Sequence, residues 1–126
     1  HAATGQLAAG QTDGTLLLWQ DTALPPLQLR EHKELIMCMA FDRAGAQLVT
    51  GSTDARTVVW AVPDGGVLRV IPSKNGTVRD VAYAPDGSLY ILGWWQLDQL
   101  KPGAESPEAV TVEGGWRMAV PRASTR

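Results

Sequence analysis

Three residues of the types that build a hydrolytic relay lie close together in this chain: His32, Ser52 and Asp54. A serine hydroxyl becomes a nucleophile when an imidazole takes its proton, and a carboxylate can orient that imidazole. Such a relay also needs an oxyanion site and a pocket, and no segment of the sequence points to either. Arg79 and Asp80 form the one adjacent charged pair worth testing, and their plain reading is an ion pair at a strand end. Cys38 lies between Met37 and Met39, where it reads as a small buried hydrophobe rather than a reactive thiol. With 2 His and 1 Cys in the chain, no spacing suggests a zinc site, and no cofactor is indicated.

The elements that must position these residues are written into the chain twice. Gly10-Gln11-Thr12-Asp13-Gly14-Thr15-Leu16-Leu17-Leu18-Trp19 returns as Gly51-Ser52-Thr53-Asp54-Ala55-Arg56-Thr57-Val58-Val59-Trp60. Gly10 and Gly51, Asp13 and Asp54, Trp19 and Trp60 are each 41 residues apart. A fixed period near 40 is the mark of a repeat architecture. A second periodic stretch, Met39 to Leu48, recurs as Val81 to Leu89. Turn chemistry separates the apolar runs: Asp13-Gly14, Pro63-Asp64-Gly65-Gly66 and Pro85-Asp86-Gly87. The runs between are short and rich in Val, Leu, Ile, Thr and aromatics. Strands are predicted near 6–11, 15–20, 27–31, 35–42, 47–53, 56–62, 67–72, 77–84 and 88–94. Several are apolar on both faces, as expected of sheets stacked between two neighbours.

This pattern resembles the WD40 repeat family over residues from about 6 to 94. The middle repeat carries His32, Phe41, Arg43-Ala44-Gly45, Thr50-Gly51-Ser52, Asp54 and Trp60. The resemblance implies an all-β chain of consecutive four-stranded antiparallel blades of a WD40-type β-propeller, with an incomplete ring. The expected division is 1–31 for the end of a first blade, 32–72 for a second, and 73–100 for a third, degenerate one. Residues 101–126 read as a linker-like tail, with a possible strand at Val110-Thr111-Val112, another beginning near Gly114-Gly115-Trp116, and disorder from Pro121 to Arg126. The resemblance also implies a hydrogen-bonded tetrad of His32, Thr50 or Ser52, Asp54 and Trp60. The first blade offers only Asp13 and Trp19, with Ala9 and Gln11 where a hydroxyl should stand. The partner-binding top face implied by the family falls on Thr12, Thr53, Lys33, Glu34 and Leu35.

Composition narrows the function classes. A net charge of −2 and scattered basic residues give no electrostatic case for nucleic acid. No apolar run approaches the roughly 20 residues of a membrane span. A single Cys fits a reducing, intracellular compartment, and the cytoplasm is the expectation. Propellers close with about 4–8 blades, and three blades cannot close a ring. The expectation is therefore a fragment of a longer propeller, or a partial one completed by missing blades in cis or in trans. Trp94-Trp95 reads as core of an irregular blade in preference to an exposed anchor. Arg43, Arg56, Arg69 and Arg79 read as solvated strand or turn positions. The functional expectation is a non-catalytic scaffold for protein partners. The alternative is a propeller segment of an enzyme whose catalytic residues lie outside this chain.

Overall fold

The computed structural model describes residues 4–62, 64–74 and 76–110. Eleven strands form among them: β1 Leu7–Gly10, β2 Thr15–Trp19, β3 Leu27–Arg30, β4 Ile36–Phe41, β5 Gln47–Ser52, β6 Arg56–Ala61, β7 Val67–Pro72, β8 Asp80–Tyr83, β9 Leu89–Leu92, β10 Leu97–Leu100 and β11 Glu108–Val110. They make three antiparallel sheets in chain order, β1-β2-β3, β4-β5-β6-β7 and β8-β9-β10-β11. Each strand pairs with its neighbour in sequence, which is the meander that short turns between apolar runs produce.

The side-chain alternation of the middle sheet explains the stacking. Leu48, Val58 and Trp60 point to one side and join Leu16 and Leu18 of β2 in one core. Val49 and Val59 point to the other side and join Val81, Leu89, Ile91 and Leu100 of the third sheet in a second core. Successive strand residues face opposite ways, so an unbroken apolar run serves a sheet that is covered on both faces. Each fully buried Leu or Val contributes about 1.5–3 kcal/mol, which is what holds one sheet on the next.

Two glycines set how closely the sheets approach. A Cβ on Gly51 would lie 2.4 Å from Val78 Cγ1 and 2.7 Å from Cys38 Sγ, and one on Gly10 would lie 2.7 Å from Ile36. Beside each glycine a backbone bond crosses between sheets: Ile36 N–H to the Gln11 carbonyl at 3.3 Å, and Val78 N–H to the Ser52 carbonyl at 3.1 Å. The second of these diverts residues 77–79, so β8 begins at Asp80 and not at the expected 77.

The third sheet runs further than the sequence suggests. Residues 101–110 are not a linker-like tail: β11 pairs with β10, Gln99 opposite Glu108 and Leu97 opposite Val110. Lys101-Pro102-Gly103-Ala104 is a turn closed by the Ala104 N–H on the Lys101 carbonyl at 3.0 Å. Its Pro and Gly mark a turn rather than a linker, and backbone pairing asks little of the side chains that follow. The readings placed on Pro63, on Thr111 to Trp116 and on Pro121 to Arg126 lie outside the described residues.

Candidate functional site

The tightest polar constellation stands at one end of the middle sheet. Asp54 sits in the β5–β6 turn, where its Oδ1 accepts the Arg56 N–H at 2.9 Å. Asp13 and Asp86 do the same to Thr15 and Ser88, each at 2.9 Å. This is the local bond by which Asp nucleates a turn. Asp54 does more. Its Oδ2 accepts the Lys33 N–H at 2.9 Å and faces His32 Nδ1 at 3.1 Å. The turn thereby holds the loop that precedes β4.

From His32 the bonds run into the core. His32 Nε2 lies 2.7 Å from Thr50 Oγ1, and the Trp60 indole N–H donates to the same oxygen at 2.9 Å. A neutral imidazole with its proton on Nδ1 satisfies every member. Trp60 then donates to Thr50, Thr50 to His32, and His32 to Asp54. Thr50 is fully buried, and Trp60 and His32 are 2% and 5% exposed. Burial pushes the Asp54 carboxyl up, but the Lys33 N–H, the His32 ring and the Arg56 N–H outweigh it and hold it below the ordinary value.

Ser52 stands apart from this chain. Its hydroxyl donates to the Leu35 carbonyl at 2.8 Å and accepts the Asp54 N–H at 3.1 Å. Both ring nitrogens of His32 are engaged elsewhere, so the relay weighed from sequence has no serine–imidazole bond. Thr50, not Ser52, supplies the hydroxyl. In the first sheet Ala9 lies opposite Leu17, so no hydroxyl reaches the half-buried Trp19. Asp13 keeps only its turn. In the third sheet Leu89 pairs with Leu100 and Ile91 with Asp98. Leu100 stands where Trp60 does in the second sheet, and Ile91 where Thr50 does.

The residues assigned to a top face gather at the same end. Thr53 Oγ1 donates to Glu34 Oε1 at 3.1 Å, and the Thr53 N–H donates to the Leu35 carbonyl at 3.2 Å. Lys33 and Glu34 are exposed, Leu35 and Thr53 half-buried. Thr12 is exposed in the β1–β2 turn. That turn abuts the same loop, since a Cβ on its Gly14 would lie 2.5 Å from the His32 carbonyl.

A cavity of about 450 Å³ opens beside the first strands of the second and third sheets, lined by Gly10, Ile36, Met37, Cys38, Met39, Arg79 and Asp80. Asp42 lies elsewhere: its Oδ1 closes the β4–β5 turn by accepting the Ala46 and Gln47 N–H groups at 2.8 and 3.1 Å. Among the described residues no group of three His, Cys, Asp or Glu is placed to hold a metal ion. Burial and the nearby Asp80 charge push the Cys38 thiol up to about 12, which keeps it protonated and unreactive at neutral pH.

Three expectations are corrected here. Arg79 does not pair with Asp80; its guanidinium lies 4.2 Å over the Trp94 ring, while Asp80 Oδ1 accepts the Val81 N–H at 2.9 Å. Trp94 and Trp95 are not core. They stand at the β9–β10 hairpin tip, 55% and 82% exposed, because the turn closes from Gly93 N–H to the Gln96 carbonyl at 2.9 Å. The arginines are not merely solvated. Arg56 binds the Glu31 carboxylate at 2.8 Å, and Arg69 donates to the Ala104 carbonyl at 2.9 Å and to the Glu105 carbonyl. The last contacts join the second sheet to the third. No spacing in the sequence announces them, since they depend on where distant turns fall.

Comparison with known proteins agrees with this geometry. Residues 25–61 match the WD40 family model, described as WD domain, G-beta repeat. Apoptotic protease-activating factor 1 of Homo sapiens is 28% identical over 77% of this chain and 9% of its own length. Cilia- and flagella-associated protein 52 of Mus musculus is 26% identical over 70% of this chain and 14% of its own. Guanine nucleotide-exchange factor SEC12 of Rattus norvegicus is 33% identical over 56% of this chain and 18% of its own. The chain thus spans less than a fifth of the length of these curated relatives. Among solved structures, the β-propeller domain of Myceliophteria thermophila Cps50 (Swd1) superposes with a TM-score of 0.73 at 20% identity, over 86% of this chain and 36% of that one. Repeat, sheet order and propeller likeness converge: residues 25–61 carry a WD40 repeat, and the three described sheets have the fold of propeller blades that do not by themselves close a ring.

Proposed function

We propose that this chain is part of a non-catalytic scaffold that holds protein partners within a larger protein or complex. The observation that carries the reading is how the polar residues are used. His32, Thr50, Asp54 and Trp60 bond to one another inside one blade, and Ser52 bonds to backbone. Chemistry-bearing side chains are thereby committed to rigidity, and a satisfied buried network of this kind fixes one arrangement of its sheet. What remains for recognition is the end built by Thr12, Lys33, Glu34, Leu35 and Thr53, loop positions on a rigid frame. The test is co-purification from cells of the intact protein that carries this chain. Wild type is compared with the double charge reversal Lys33→Glu, Glu34→Lys. A stable partner lost on reversal supports the reading. Recovery of no partner by the wild type counts against it.

A second reading has one specific observation behind it: a relative described as a guanine nucleotide-exchange factor. On that reading the blades belong to a protein whose activity is exercised by residues outside this chain. Exchange activity of the intact protein, abolished by deleting a segment other than residues 4–110, would favour it.

A further inference from the structure

The gap between the second and third sheets is not filled along its whole length. A cavity of about 310 Å³ opens beside Gln47, the first residue of β5, and so at the end of the sheet away from the Asp54 turn. Its floor is apolar and drawn from both sheets: Val59 on one side, Leu89 and Leu100 on the other, all buried. Two turns of the third sheet bring Gly87 and Gly103 to it, and neither has a side chain to fill the space. Pro102 lies against the first of them, its Cγ 3.4 Å from where a Cβ on Gly87 would stand. Between the first and second sheets the corresponding turn is closed by a leucine, since a Cβ on Gly65 would lie 2.8 Å from Leu29 Cδ1.

An irregularity of β7 builds the wall. Val59 lies opposite Arg69 and Trp60 opposite Val67, which makes Leu68 an extra residue in the ladder. A regular strand would send Leu68 and Arg69 to opposite faces. The bulge re-aims them, and both line the cavity. No such shift occurs where β3 pairs with β2. The Arg69 guanidinium then crosses the gap to the Ala104 carbonyl at 2.9 Å and the Glu105 carbonyl, and Lys101 joins the lining from the same turn. The ion pairs among the described residues are His32–Asp54 and Arg56–Glu31, and neither cation enters them. No carboxylate lines the cavity. Asp42 lies near Tyr83 and Asp86 near Lys101, but Asp42 Oδ1 accepts the Ala46 and Gln47 N–H groups and Asp86 Oδ1 the Ser88 N–H. The remaining polar groups of the lining are neutral. Burial and the Asp42 charge push the Tyr83 phenol up to about 12. Its hydroxyl donates to Gln47 Oε1 at 3.2 Å, which spends the amide oxygen and leaves Nε2 as a donor.

We propose that this cavity binds a small molecule with an apolar ring or short chain and one carboxylate, the apolar body lying on Val59, Leu89 and Leu100 and the carboxylate toward Arg69 and Lys101. Apolar walls with a few oriented polar groups are the usual make-up of a small-molecule site, and the volume stands at the low end of the roughly 300–1,000 Å³ of such sites. The walls offer donors and positive charge, so a cationic ligand is repelled and a neutral one forgoes the charge-assisted bond. A second charged group on the ligand would be desolvated against the apolar floor. The ligand touches both sheets, so its binding ties one blade to the next and stabilises the fold by mass action. The inference goes beyond the scaffold reading and does not depend on it, since Lys33 and Glu34 stand at the other end of the sheet.

The probes are phenylbutyrate, its primary amide and phenylbutylamine, added to the intact protein that carries this chain. Binding is measured by titration calorimetry and by the midpoint of thermal unfolding. Phenylbutyrate should bind about tenfold tighter than the amide, the order expected for a charge-assisted bond against a neutral one, and should raise the midpoint further. The amine should bind most weakly of the three. Lys101→Gln, at an exposed position, should reduce the preference for acid over amide. Leu68→Trp, on the bulge and 51% exposed, should fill the cavity and weaken acid and amide together, with the far-UV circular dichroism unchanged. Should the Trp variant not fold, Lys101→Gln decides. Equal binding of acid and amide, an acid preference untouched by Lys101→Gln, binding untouched in a folded Leu68→Trp, tightest binding of the amine, or no binding of any probe would each overturn the inference.

Discussion

Replacing Thr50 by Val tests the buried network at its centre with almost no change of shape. Thr50 is fully buried on β5, and its one hydroxyl serves two buried neighbours: the Trp60 N–H at 2.9 Å and His32 Nε2 at 2.7 Å. Val fills the same volume but offers neither donor nor acceptor. Each neighbour left without a partner costs about 1–3 kcal/mol. Trp60 and His32 are too buried, at 2% and 5% exposure, for water to replace the bond. The expected loss is about 3 kcal/mol, a large share of the roughly 5–15 kcal/mol of a typical domain. Strand propensity acts in the opposite direction, since Val is at least as good a strand residue as Thr. Thr50→Ser keeps the hydroxyl and removes a methyl, at about 1 kcal/mol. Urea unfolding followed by far-UV circular dichroism should show the Val midpoint lowered by about 1–3 M and the Ser midpoint much less. Thr50→Val combined with Trp60→Phe should destabilise by less than the sum of the single changes, because both remove the same bond. A Val variant within about 0.5 kcal/mol of wild type, the usual range for a surface change, would refute the reasoning, as would a Ser variant less stable than the Val one.

The other predictions concern the backbone and the acid limb. Gly51→Ala should lose about 1–3 kcal/mol by overpacking, because its Cβ would fall 2.4 Å from Val78 Cγ1. Gly66→Ala, with nothing within 4 Å, should stay within about 0.5 kcal/mol in the same urea titration. Ala55→Gly should raise stability by about 0.5–1 kcal/mol, since Ala55 holds φ at 66°, a left-handed conformation that costs an L-residue roughly 1–2 kcal/mol and glycine little. A lower urea midpoint for that variant would count against it. Asp54 is held below its ordinary value of 3.8 in the fold. Its contribution is therefore complete above the unfolded value and lost as pH falls through the folded one. Asp13 and Asp86 are lowered too, by backbone and side-chain bonds to Thr15 and Ser88. Thermal stability should thus decline below about pH 4, and Asp54→Asn should make that acid decline shallower. An unchanged slope would show that Asp54 is not the titrating group.

The repeat was legible because it is local. Asp13, Asp54 and Asp86 each make the same bond two residues on, so the turns could be read from residue order alone. The blades followed from the apolar runs between turns. The choice between Thr50 and Ser52 was not legible. Both are buried on β5, two residues apart and so on one face, and only their position along the strand decides which reaches Trp60 and which meets the Leu35 carbonyl. Trp94 and Trp95 misled for a related reason. Hydrophobicity argues for burial on average, but the hairpin register places these two at a tip. The strand after residue 107 was obscured by Pro102 and Gly103, whose signal belongs to a turn and says nothing of the pairing beyond it.

The periodic glycine has a reason that only the stacked sheets disclose. Within its own blade, Gly51 sits in a strand interior, where glycine weakens pairing. Its value appears across the gap: the segment leading into β8 approaches so closely that a Cβ would strike Val78, and the following carbonyl, on Ser52, receives the Val78 N–H at 3.1 Å. Gly10 and Gln11 repeat the arrangement against Ile36 at 3.3 Å. The tetrad, by contrast, is present in full only in the middle sheet. The sequence period therefore carries two separate instructions. The Asp turn and tetrad shape a blade from within, and the first sheet does without most of the tetrad. The glycine and its neighbouring carbonyl dock one blade on the next, and both sheet-to-sheet interfaces use them. If that separation is right, Gly51→Ala should loosen the second sheet from the third while His32 and Thr50 stay bonded. In hydrogen exchange, the Val78 amide would lose protection before the Trp60 indole does. Simultaneous loss of both would mean that blade and interface form one cooperative unit and that the two instructions cannot be separated.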